Sequence, residues 1–234
     1  MSAWRNVVDW ITAAIGWLRR KQRIEVSALP CVKVNLGCGL SLAPGWINID
    51  CSFNALAANA PRWLQPLAYR LSGAHNFYTE DDYCRTLRSN HFVHHDLSFS
   101  IPLGDRVADF VFSSHFLEHL DRLVARRLLL ETYRILKPGG VVRIGVPDLE
   151  YAWVLYQRGD KARMLHDYFF IEGATGYSRH RYVYDYEMLS HILMEVGFVD
   201  VYRASFQQGW KPDLELLDNR ADYTLFVEAR RPLV

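Results

Sequence analysis

The sequence predicts an α/β fold, a doubly wound sheet of mostly parallel strands, and three observations support this. Residues 32–39 (VKVNLGCG) form a short apolar run that ends in a glycine turn. Residues 45–50 (GWINID) form a second strand-like run that ends in a carboxylate. Further apolar runs alternate with stretches of helical periodicity, which is typical of parallel strands joined by crossover helices. A strand, a glycine turn, a helix and an acid-terminated strand build half of a nucleoside-binding sheet.

The predicted strands are short and separated by helices or turn residues. They comprise residues 31–36, 46–50, 92–96, 108–114, 141–146, 198–202 and 223–229. A helix is predicted at 120–136, where residues 137–140 (KPGG) stop it, and another at 185–196, which ends at Gly197. The last two strands are joined by a polar linker.

Two long segments interrupt this alternation. Residues 53–90 carry Pro61, Pro66 and Gly73, so we expect helical pieces and loops that form one wall of a pocket. Residues 147–187 are rich in tyrosine, and we expect them to be loop-like and to cover a pocket. Both segments are predicted to be insertions in one domain that spans residues 31–234.

Residues 1–30 are predicted to be an amphipathic helix, over residues 1–25, followed by a linker. The helix carries one apolar stripe, which comprises Trp4, Val7, Val8, Ile11, Ile15 and Leu18. Asp9, Thr12 and Gly16 lie roughly opposite this stripe. Residues 19–23 (RRKQR) place positive charge at the C-terminal end of the predicted helix. Such a helix packs on its own domain, packs on a second subunit, or lies in a membrane interface.

Charge and cysteine content narrow the class of protein. Lys and Arg number 27 against 26 Asp and Glu, which argues against broad electrostatic binding of nucleic acid. The four cysteines show no C-x-x-C spacing and are interpreted as reduced thiols. No signal peptide and no apolar run of membrane-spanning length is evident. We therefore expect a cytoplasmic protein, with the first helix as a peripheral contact to the inner face of the membrane if it meets lipid.

The glycine turn also indicates the kind of ligand. Glycines let the backbone approach a ligand closely and open the following helix, whose N–H groups face that ligand. Ser41 stands where a third close glycine would complete a dinucleotide motif. A nucleoside without a pyrophosphate is therefore favoured over NAD.

These motifs together resemble a known family, the class I S-adenosylmethionine-dependent methyltransferases. The resemblance covers residues 31–230 and rests on VNLGCG, PGWINID, HHDLSFSIPL, ADFVFSSHFLEHL, LKPGGVVRIGVPD and YDYEMLSHILMEVGF in that order. More narrowly, the chain resembles a small bacterial branch associated with polysaccharide and cell-envelope synthesis. The resemblance implies a Rossmann-like seven-stranded sheet whose last two strands form an antiparallel hairpin. S-adenosylmethionine is the implied cofactor, and S-adenosylhomocysteine is its product.

The resemblance also implies roles for residues at the carboxyl ends of the strands. Asp50 matches the acid that holds the ribose hydroxyls, and Asp96, with the backbone of Leu97, matches the position that recognises adenine. The remaining implied cofactor-binding residues are Asn35, Leu36, Gly37, Cys38, Gly39, Ser113, Ser114 and His115. Asn35 replaces the more usual acid, so its amide would accept a hydrogen bond from the cofactor ammonium without a full charge.

Methyl transfer to a hydroxyl requires the removal of a proton, a task that suits histidine. The predicted catalytic residues are His119 and His180. Glu118 either orients a histidine or caps the following helix, and His115 shares a helical face with His119 if the segment is helical. The order H-E-x-x-H is absent and no third ligand is evident, so we expect no metal site.

The acceptor is predicted to bind beside these histidines, with Glu118 among the residues that contact it. Arg179, Arg181 and Tyr182 lie in the second insertion, and arginines beside aromatic rings suit a phosphorylated or carboxylated acceptor or a sugar ring. The predicted function is methyl transfer to an oxygen of a saccharide or cell-envelope-related molecule. The alternatives are transfer to a small metabolite or lipid-like acceptor, or a non-catalytic cofactor-binding partner protein. The sequence leaves the oligomeric state open.

Overall fold

Seven strands form the sheet of the computed structural model, which describes residues 2–170 and 179–234. The strands are β1 (Lys33–Leu36), β2 (Ile47–Asp50), β3 (His91–His94), β4 (Ala108–Ser114), β5 (Leu136–Pro147), β6 (Val199–Ala204) and β7 (Thr224–Arg230). Their order across the sheet is β3-β2-β1-β4-β5-β7-β6. Each strand overlaps a predicted apolar run, because such runs bury both faces of a parallel sheet.

The sheet is mixed only at its C-terminal side. Strands β1 to β5 pair in parallel, whereas β7 is antiparallel to both β5 and β6. Six strands therefore point the same way, and β7 opposes them. This confirms the Rossmann-like sheet with a C-terminal antiparallel hairpin.

Helices cover both faces of this sheet. They are α1 (Ser2–Leu18), α2 (Phe53–Ala58), α3 (Gln65–Ser72), α4 (Glu80–Ser89), α5 (Arg122–Ile135), α6 (Leu149–Gln157), α7 (Lys161–Met164), α8 (Tyr186–Val196) and α9 (Leu214–Leu217). Leu128 of α5 and Leu193 of α8 join the main core on one face. On the other face, Trp46 and Phe112 pack with Leu217 of α9.

The helical pieces and loops predicted at 53–90 are present, whereas the loop-like character predicted for 147–187 does not hold across its described residues. Helices α2 to α4 and two short 3₁₀ turns occupy the first insertion. The second was predicted to be loop-like, but α6 begins there, because the Asp148 side chain accepts a hydrogen bond from the Glu150 amide and α6 buries Ala152 and Leu155. Residues 171–178 of this insertion, together with the side chains of Trp4 and Asp9, lie outside the described structure.

Strand β5 begins earlier than predicted. Leu136 pairs with Ala108, and the register then shifts before Phe110 pairs with Val141. The KPGG stretch is therefore a bulge within the strand ladder rather than a break between helix and strand. The linker after β6 is also more ordered than predicted, because it contains α9.

Helix α1 packs on its own domain, although not through its apolar stripe. Thr12 and Gly16 are buried, and a Cβ on Gly16 would lie 2.9 Å from the Asp96 Cβ. Small residues allow this close approach, so Ile11 and Leu18 of the stripe face outward, at 40% and 70% exposed, whereas Val8 and Ile15 are half-buried. The prediction of a helix over 1–25 is also wrong at its end, since α1 ends at Leu18. In the described ranges, no helix combines the length and apolar character that a membrane span requires.

A buried ion cluster holds the C-terminal segment to the sheet. The guanidinium of Arg143, in β5, donates to carboxylate oxygens of Asp218 and Glu228. It also donates to the carbonyls of Ser205 and Gln208. All three charged side chains are fully buried. One arginine thus joins β5, β7 and the linker between β6 and β7.

Candidate functional site

The carboxyl ends of the parallel strands place the predicted site residues along one edge of the sheet. The glycine turn follows β1, Asp50 ends β2, and Asp96 lies just after β3. The amide of His95 donates to the Asp50 carbonyl, which brings the β2 and β3 ends together. Ligands of open α/β sheets bind at this edge.

The two glycines of the turn differ in what surrounds them. Gly37 has a φ of +65°, and a Cβ there would lie 2.1 Å from the Phe116 ring. Gly39 has a φ of +50°, and among the described residues no atom lies within 4 Å of its added Cβ. Position 37 must therefore be glycine, because any side chain there would collide with the Phe116 ring. Gly39 instead borders open space that a ligand can fill.

The other side chains of the turn face the protein. The Asn35 amide donates to the Ser41 carbonyl at 2.8 Å and to the Asn48 side chain at 3.1 Å, so it holds the turn against β2. Leu36 lies in the main core. Cys38 is buried against the α2–α4 helices. The turn consequently presents backbone rather than side chains to the edge.

Asp50 is well placed to bind a diol. One carboxylate oxygen accepts the Gly39 amide at 2.8 Å and the other accepts the Ser52 amide at 2.6 Å. These bonds fix the carboxylate and leave each oxygen a further lone pair. The residues therefore fit a ribose, with the open space beside Gly39 next to it.

Asp96 lies at the same edge under α1. Its Oδ1 accepts the Ser98 amide at 2.9 Å, and Gly16 packs against its Cβ. Leu97 is buried in the core, so only its backbone can reach a ligand. Sequence analysis did not foresee that α1 covers this end of the site.

The three residues predicted at the end of β4, which are Ser113, Ser114 and His115, point in different directions. Ser113 faces the apolar core beneath α5, where it lines a small void. Ser114 lies on the opposite face of the strand. His115 has a φ of +52°, in the left-handed region, which turns the chain out of the sheet. Its Nε2 lies 2.9 Å from the Thr224 hydroxyl.

Four predicted site residues converge where the chain leaves β4. They are His115, Glu118, His119 and His180. The Glu118 carboxylate is fully buried, and its Oε1 lies 3.4 Å from His115 Nδ1, 3.9 Å from His119 Nε2 and 4.0 Å from His180 Nε2. The His119 and His180 rings are 5.1 Å apart. Within the described ranges, neither Glu118 oxygen has a hydrogen-bond partner. We call these four residues the histidine–glutamate cluster.

Backbone contacts bring His180 to this cluster from far along the chain. The amides of Arg181 and Tyr182 both donate to the Glu118 carbonyl, at 2.7 and 3.2 Å. They dock the second insertion onto the 3₁₀ turn Leu117–His119. No third ligand beside Glu118 and His119 was evident from the sequence, yet the side chains of Glu118, His119 and His180 offer ligand atoms within 4.8 Å of one another.

The hydrogen bonds of the histidines define which nitrogen carries a proton. His119 Nδ1 lies 3.1 Å from the Arg179 carbonyl, and His180 Nδ1 lies 3.0 Å from the Tyr168 carbonyl. A carbonyl only accepts, so both Nδ1 atoms are the N–H donors. In the neutral rings, both Nε2 atoms therefore carry a lone pair, and both face Glu118.

Burial and charge act in opposite directions in the cluster. Burial raises the pKa of the Glu118 carboxyl, but the imidazoles of His115 and His119 outweigh it, so the pKa lies below its usual value. Burial lowers the pKa of the His180 imidazole, and Glu118 reverses this only in part. The cluster thus favours an ionised carboxylate beside a neutral His180.

The predicted acceptor-binding side chains diverge from this centre. Arg181 pairs with Asp121 at 2.8 Å. The Tyr182 ring packs against Tyr184, with ring centroids 5.0 Å apart. Arg179 is exposed and contributes its carbonyl to His119. The structure thus assigns these residues mainly to docking the insertion.

Sequence analysis missed part of the wall beside the cluster. Tyr223 lies 5.7 Å from the His115 ring and 6.3 Å from the Tyr168 ring, measured between centroids. The Tyr168 hydroxyl is buried with no partner among the described residues. The tyrosine-rich composition was the available signal, but it did not identify which tyrosines face the site.

Comparisons with known proteins agree with the fold. Residues 35–144 match the family model of a methyltransferase domain. The chain is similar to an S-adenosylmethionine-dependent methyltransferase named SibL in its apo form, at 20% identity and a TM-score of 0.50, over 99% of this chain and 57% of that chain. It is also similar to a candidate O-methyltransferase of Nostoc punctiforme PCC 73102, at 12% identity and a TM-score of 0.50, over 97% and 56%.

A third solved structure, an S-adenosylmethionine-dependent methyltransferase from Archaeoglobus fulgidus, covers 95% of this chain and 94% of its own, at 18% identity and a TM-score of 0.49. At these identities the structural likeness shows the fold alone. None of the curated proteins compared with the chain matches it. The match to the methyltransferase model supports an enzyme.

Proposed function

We propose that this S-adenosylmethionine-dependent methyltransferase, whose methyltransferase domain includes residues 35–144, transfers the methyl group to an oxygen of a saccharide or cell-envelope-related acceptor. When bound, S-adenosylmethionine supplies an electrophilic methyl group on a sulfonium sulfur. The observation that supports an oxygen acceptor is the histidine–glutamate cluster. A hydroxyl, unlike an amine that is already neutral, must lose a proton as it attacks, and these groups favour that loss.

One group of residues at the edge of the sheet is proposed to bind the cofactor, and another group is proposed to bind the acceptor. Gly39 and Asp50 leave space and hydrogen-bond acceptors for the methionine and ribose parts, and Asp96 lies on the adenine side. The end of β4 lies between this half and the cluster, and His115 is the cluster residue that follows it directly. An acceptor that enters beside His119, which is 19% exposed, would bring its hydroxyl to the Nε2 atoms of His119 and His180. The oxygen then bonds to the methyl carbon as the carbon–sulfur bond breaks.

The test compares cofactor binding with turnover. We expect His119→Gln and His180→Gln to lower kcat for a hydroxyl acceptor by about 100-fold or more, the usual contribution of proton removal. Affinity for S-adenosylhomocysteine, measured by calorimetry, should change less than about twofold, since neither residue lies at the cofactor half. His91→Gln, an exposed histidine at the start of β3, is the control. Unchanged turnover in both variants, across a panel of sugar and lipid-linked hydroxyl acceptors, would contradict the proposal.

Asp50 tests the cofactor half independently. Asp50→Asn keeps the shape of the side chain but removes its negative charge. The carboxylate is proposed to accept hydrogen bonds from both ribose hydroxyls. We expect S-adenosylhomocysteine to bind about 10-fold or more weakly, since hydrogen bonds to charged groups contribute roughly 1.5–3 kcal/mol. Equal affinity in Asp50→Asn and the parent chain would show that the ribose lies elsewhere.

The exposed face of α1, which includes Leu18 of the apolar stripe and Trp10 beside it, favours an acceptor at a membrane surface. Trp10 is 73% and Leu18 is 70% exposed, and Arg20 stacks on Trp17 at 3.9 Å. Arg20 and Lys21 place positive charge beside this apolar surface, a combination that suits an anionic bilayer. We propose that the enzyme is cytoplasmic and contacts the inner face of the membrane through α1.

Vesicle binding tests this membrane contact. We expect the chain to co-sediment with phosphatidylglycerol vesicles and to do so about 10-fold less when Trp10→Ser and Leu18→Ser are combined, since each tenfold corresponds to about 1.4 kcal/mol. Trp63→Ser is the matched control, because Trp63 is 77% exposed away from α1. Equal binding to neutral vesicles, or equal loss in the control, would contradict the contact.

A further inference from the structure

The histidine–glutamate cluster contains a buried carboxylate, and the imidazoles of His115, His119 and His180 are the described groups beside it that can carry a positive charge. Glu118 is 0% exposed, and its oxygens have no hydrogen-bond partner among the described residues. An ionised carboxylate in such a place is costly unless a positive group pairs with it. Two agents can supply that charge, a proton on an imidazole or a metal ion.

The distances distinguish the two agents. An imidazolium that compensated Glu118 would donate a charged hydrogen bond of about 2.7–2.9 Å. The Nε2 atoms of His119 and His180 instead lie 3.9 and 4.0 Å from Glu118 Oε1. Ligands about 2.1 Å from one tetrahedral ion lie about 3.4 Å from each other. These two distances are therefore too long for hydrogen bonds and nearer to the spacing of atoms that share an ion, whereas His115 Nδ1, at 3.4 Å, is close enough for a weak hydrogen bond to the same oxygen.

The orientation of the histidines supports the same conclusion. Histidines that bind a metal usually donate their other ring N–H to a carbonyl or carboxylate, which aims the free nitrogen at the ion. His119 and His180 donate Nδ1–H to the Arg179 and Tyr168 carbonyls. Both free Nε2 atoms therefore converge on the carboxylate without a proton between them.

We propose that Glu118, His119 and His180 bind a divalent first-row transition metal ion, of which Zn²⁺ is the representative. Two imidazole nitrogens and one carboxylate oxygen are a ligand set for such ions, whereas Mg²⁺ prefers oxygen ligands and retained waters. His115, whose Nδ1 lies 3.4 Å from the same carboxylate oxygen, holds Glu118 from the other side. Partial exposure of His119 leaves a coordination position open toward the acceptor side.

The metal site deepens the proposed function and rests on it only for its catalytic consequence. An acceptor hydroxyl in the open position would become a metal ligand, which lowers the pKa of the hydroxyl and favours loss of its proton to water. His119 and His180 would then act as ligands instead of accepting the proton themselves. Binding of the ion is independent of which acceptor is methylated.

The test measures binding by the untagged, chelator-treated full chain. We expect calorimetry with Zn²⁺ to show one site per chain, and Co²⁺ to give the visible absorption of a nitrogen- and oxygen-ligated ion. His119→Ala and His180→Ala should weaken Zn²⁺ binding at least about 100-fold, the upper end of what loss of a supporting partner costs. His91→Ala should bind as the parent chain does, and excess Mg²⁺ should not compete.

Several outcomes would overturn the proposal. These are the absence of Zn²⁺ binding by the parent chain, or equal affinity in the parent, His119→Ala and His91→Ala. If His180→Ala does not fold, the parent chain and the partly exposed His119 still decide the question. Lost turnover in His119→Gln without Zn²⁺ binding would refute the metal and leave the proposed function intact. Zn²⁺ binding without methyl transfer to any hydroxyl acceptor would support the metal site and refute the proposed function.

Discussion

At the scale of single residues, polar side chains in this molecule are buried for different reasons. Asn35 and Asn48 hold backbone in place: the Asn35 amide donates to the Ser41 carbonyl, and the Asn48 amide donates to the Trp46 carbonyl. Glu118 is buried without such bonds among the described residues, which is why we assign it a ligand. Lys211 is a third case, since no described group bonds its ammonium nitrogen.

Lys211 should reduce stability at neutral pH. Burial lowers the pKa of Lys211 well below its usual value of 10.5, and Glu228 opposes this only in part. The folded chain therefore binds this proton less tightly than the unfolded chain, so stability falls as pH falls below about 10.5. We expect Lys211→Met to raise the free energy of unfolding at pH 7 by about 1–3 kcal/mol. It should also flatten the dependence on pH between 7 and 10.

Urea unfolding at several pH values measures this effect. Lys21→Met, at an exposed lysine, is the control and should change the free energy of unfolding by less than about 0.5 kcal/mol. A loss of stability at pH 7 in Lys211→Met would show that the contacts of the ammonium with the Trp46 and Phe112 rings outweigh its burial.

Glu131 should produce the opposite dependence on pH. Burial raises the pKa of the Glu131 carboxyl, but Arg134 and the Ile101 amide outweigh it, so the pKa lies below its usual value of 4.5. Its stabilising effect is therefore complete above about pH 4.5 and is lost as pH falls through the folded pKa. Glu131→Gln should lower the free energy of unfolding at pH 7 by about 1–2 kcal/mol and lessen the sensitivity to acid.

Acid titration of the unfolding midpoint checks this prediction. Glu25→Gln removes an exposed carboxyl and should leave both the midpoint and its pH dependence nearly unchanged. Identical acid curves for Glu131→Gln and the parent chain would mean that the bonds to Arg134 and Ile101 contribute nothing measurable.

Sequence patterns identified residues that follow strands and missed the contacts that depend on tertiary structure. Asp50 and Asp96 were found because each follows an apolar run, and parallel strands bring such ends together. The approach of His180 to Glu118 depends on backbone bonds from Arg181 and Tyr182, which have no local pattern. Predicting it requires the path of the second insertion.

At the scale of elements, local periodicity predicts where helices and strands lie in the sequence. It does not predict which other elements they pack against. Helix α5 was placed by its apolar face, and it buries Leu128 and Ile135 as expected. The stripe of α1 was equally clear, yet α1 packs through Thr12 and Gly16. Periodicity therefore finds a helix, but the face it packs depends on which side allows close approach.

Arg143 is the main attachment of the segment between β6 and β7. Replacing it by Met leaves Asp218 and Glu228 buried without their cation, so we expect the free energy of unfolding to fall by about 3–5 kcal/mol. Urea unfolding should show this loss, whereas Arg158→Ala, at an exposed arginine, should show almost none. Changing Asp218 and Glu228 to Leu and Met as well should recover part of the loss, because an apolar trio has no unpaired charge. A loss below about 1 kcal/mol would contradict the role of the ion cluster.

At the scale of the whole molecule, the sequence predicted the fold class and the edge that carries the site. The strand order follows from right-handed crossovers and the late hairpin. The covering of that edge by α1 could not be predicted, because it depends on contact between residues distant in sequence, Gly16 and Asp96.

Gly16→Val tests how α1 is attached to the rest of the molecule. Its side chain would meet the Asp96 Cβ and the Cys51 sulfur, where an added Cβ would lie 2.9 and 3.2 Å away. Overpacking of this kind costs about 1–3 kcal/mol, so we expect α1 to detach more often. Trypsin should then cleave faster at residues 19–23, while Trp10→Ser, on the exposed side, is cleaved as the parent chain is. Unchanged cleavage in Gly16→Val would show that α1 is held elsewhere.

The position of β7 between β5 and β6 has a consequence for synthesis on the ribosome. β5 and β6 are translated first, yet β6 pairs with β7 and with no other strand in the described structure. Until residues 224–230 emerge, the nascent chain exposes the edges of both strands, and exposed edges favour mispairing between chains. A chain that ends at residue 220, and so lacks β7, should therefore aggregate more and depend more on chaperones than the full chain.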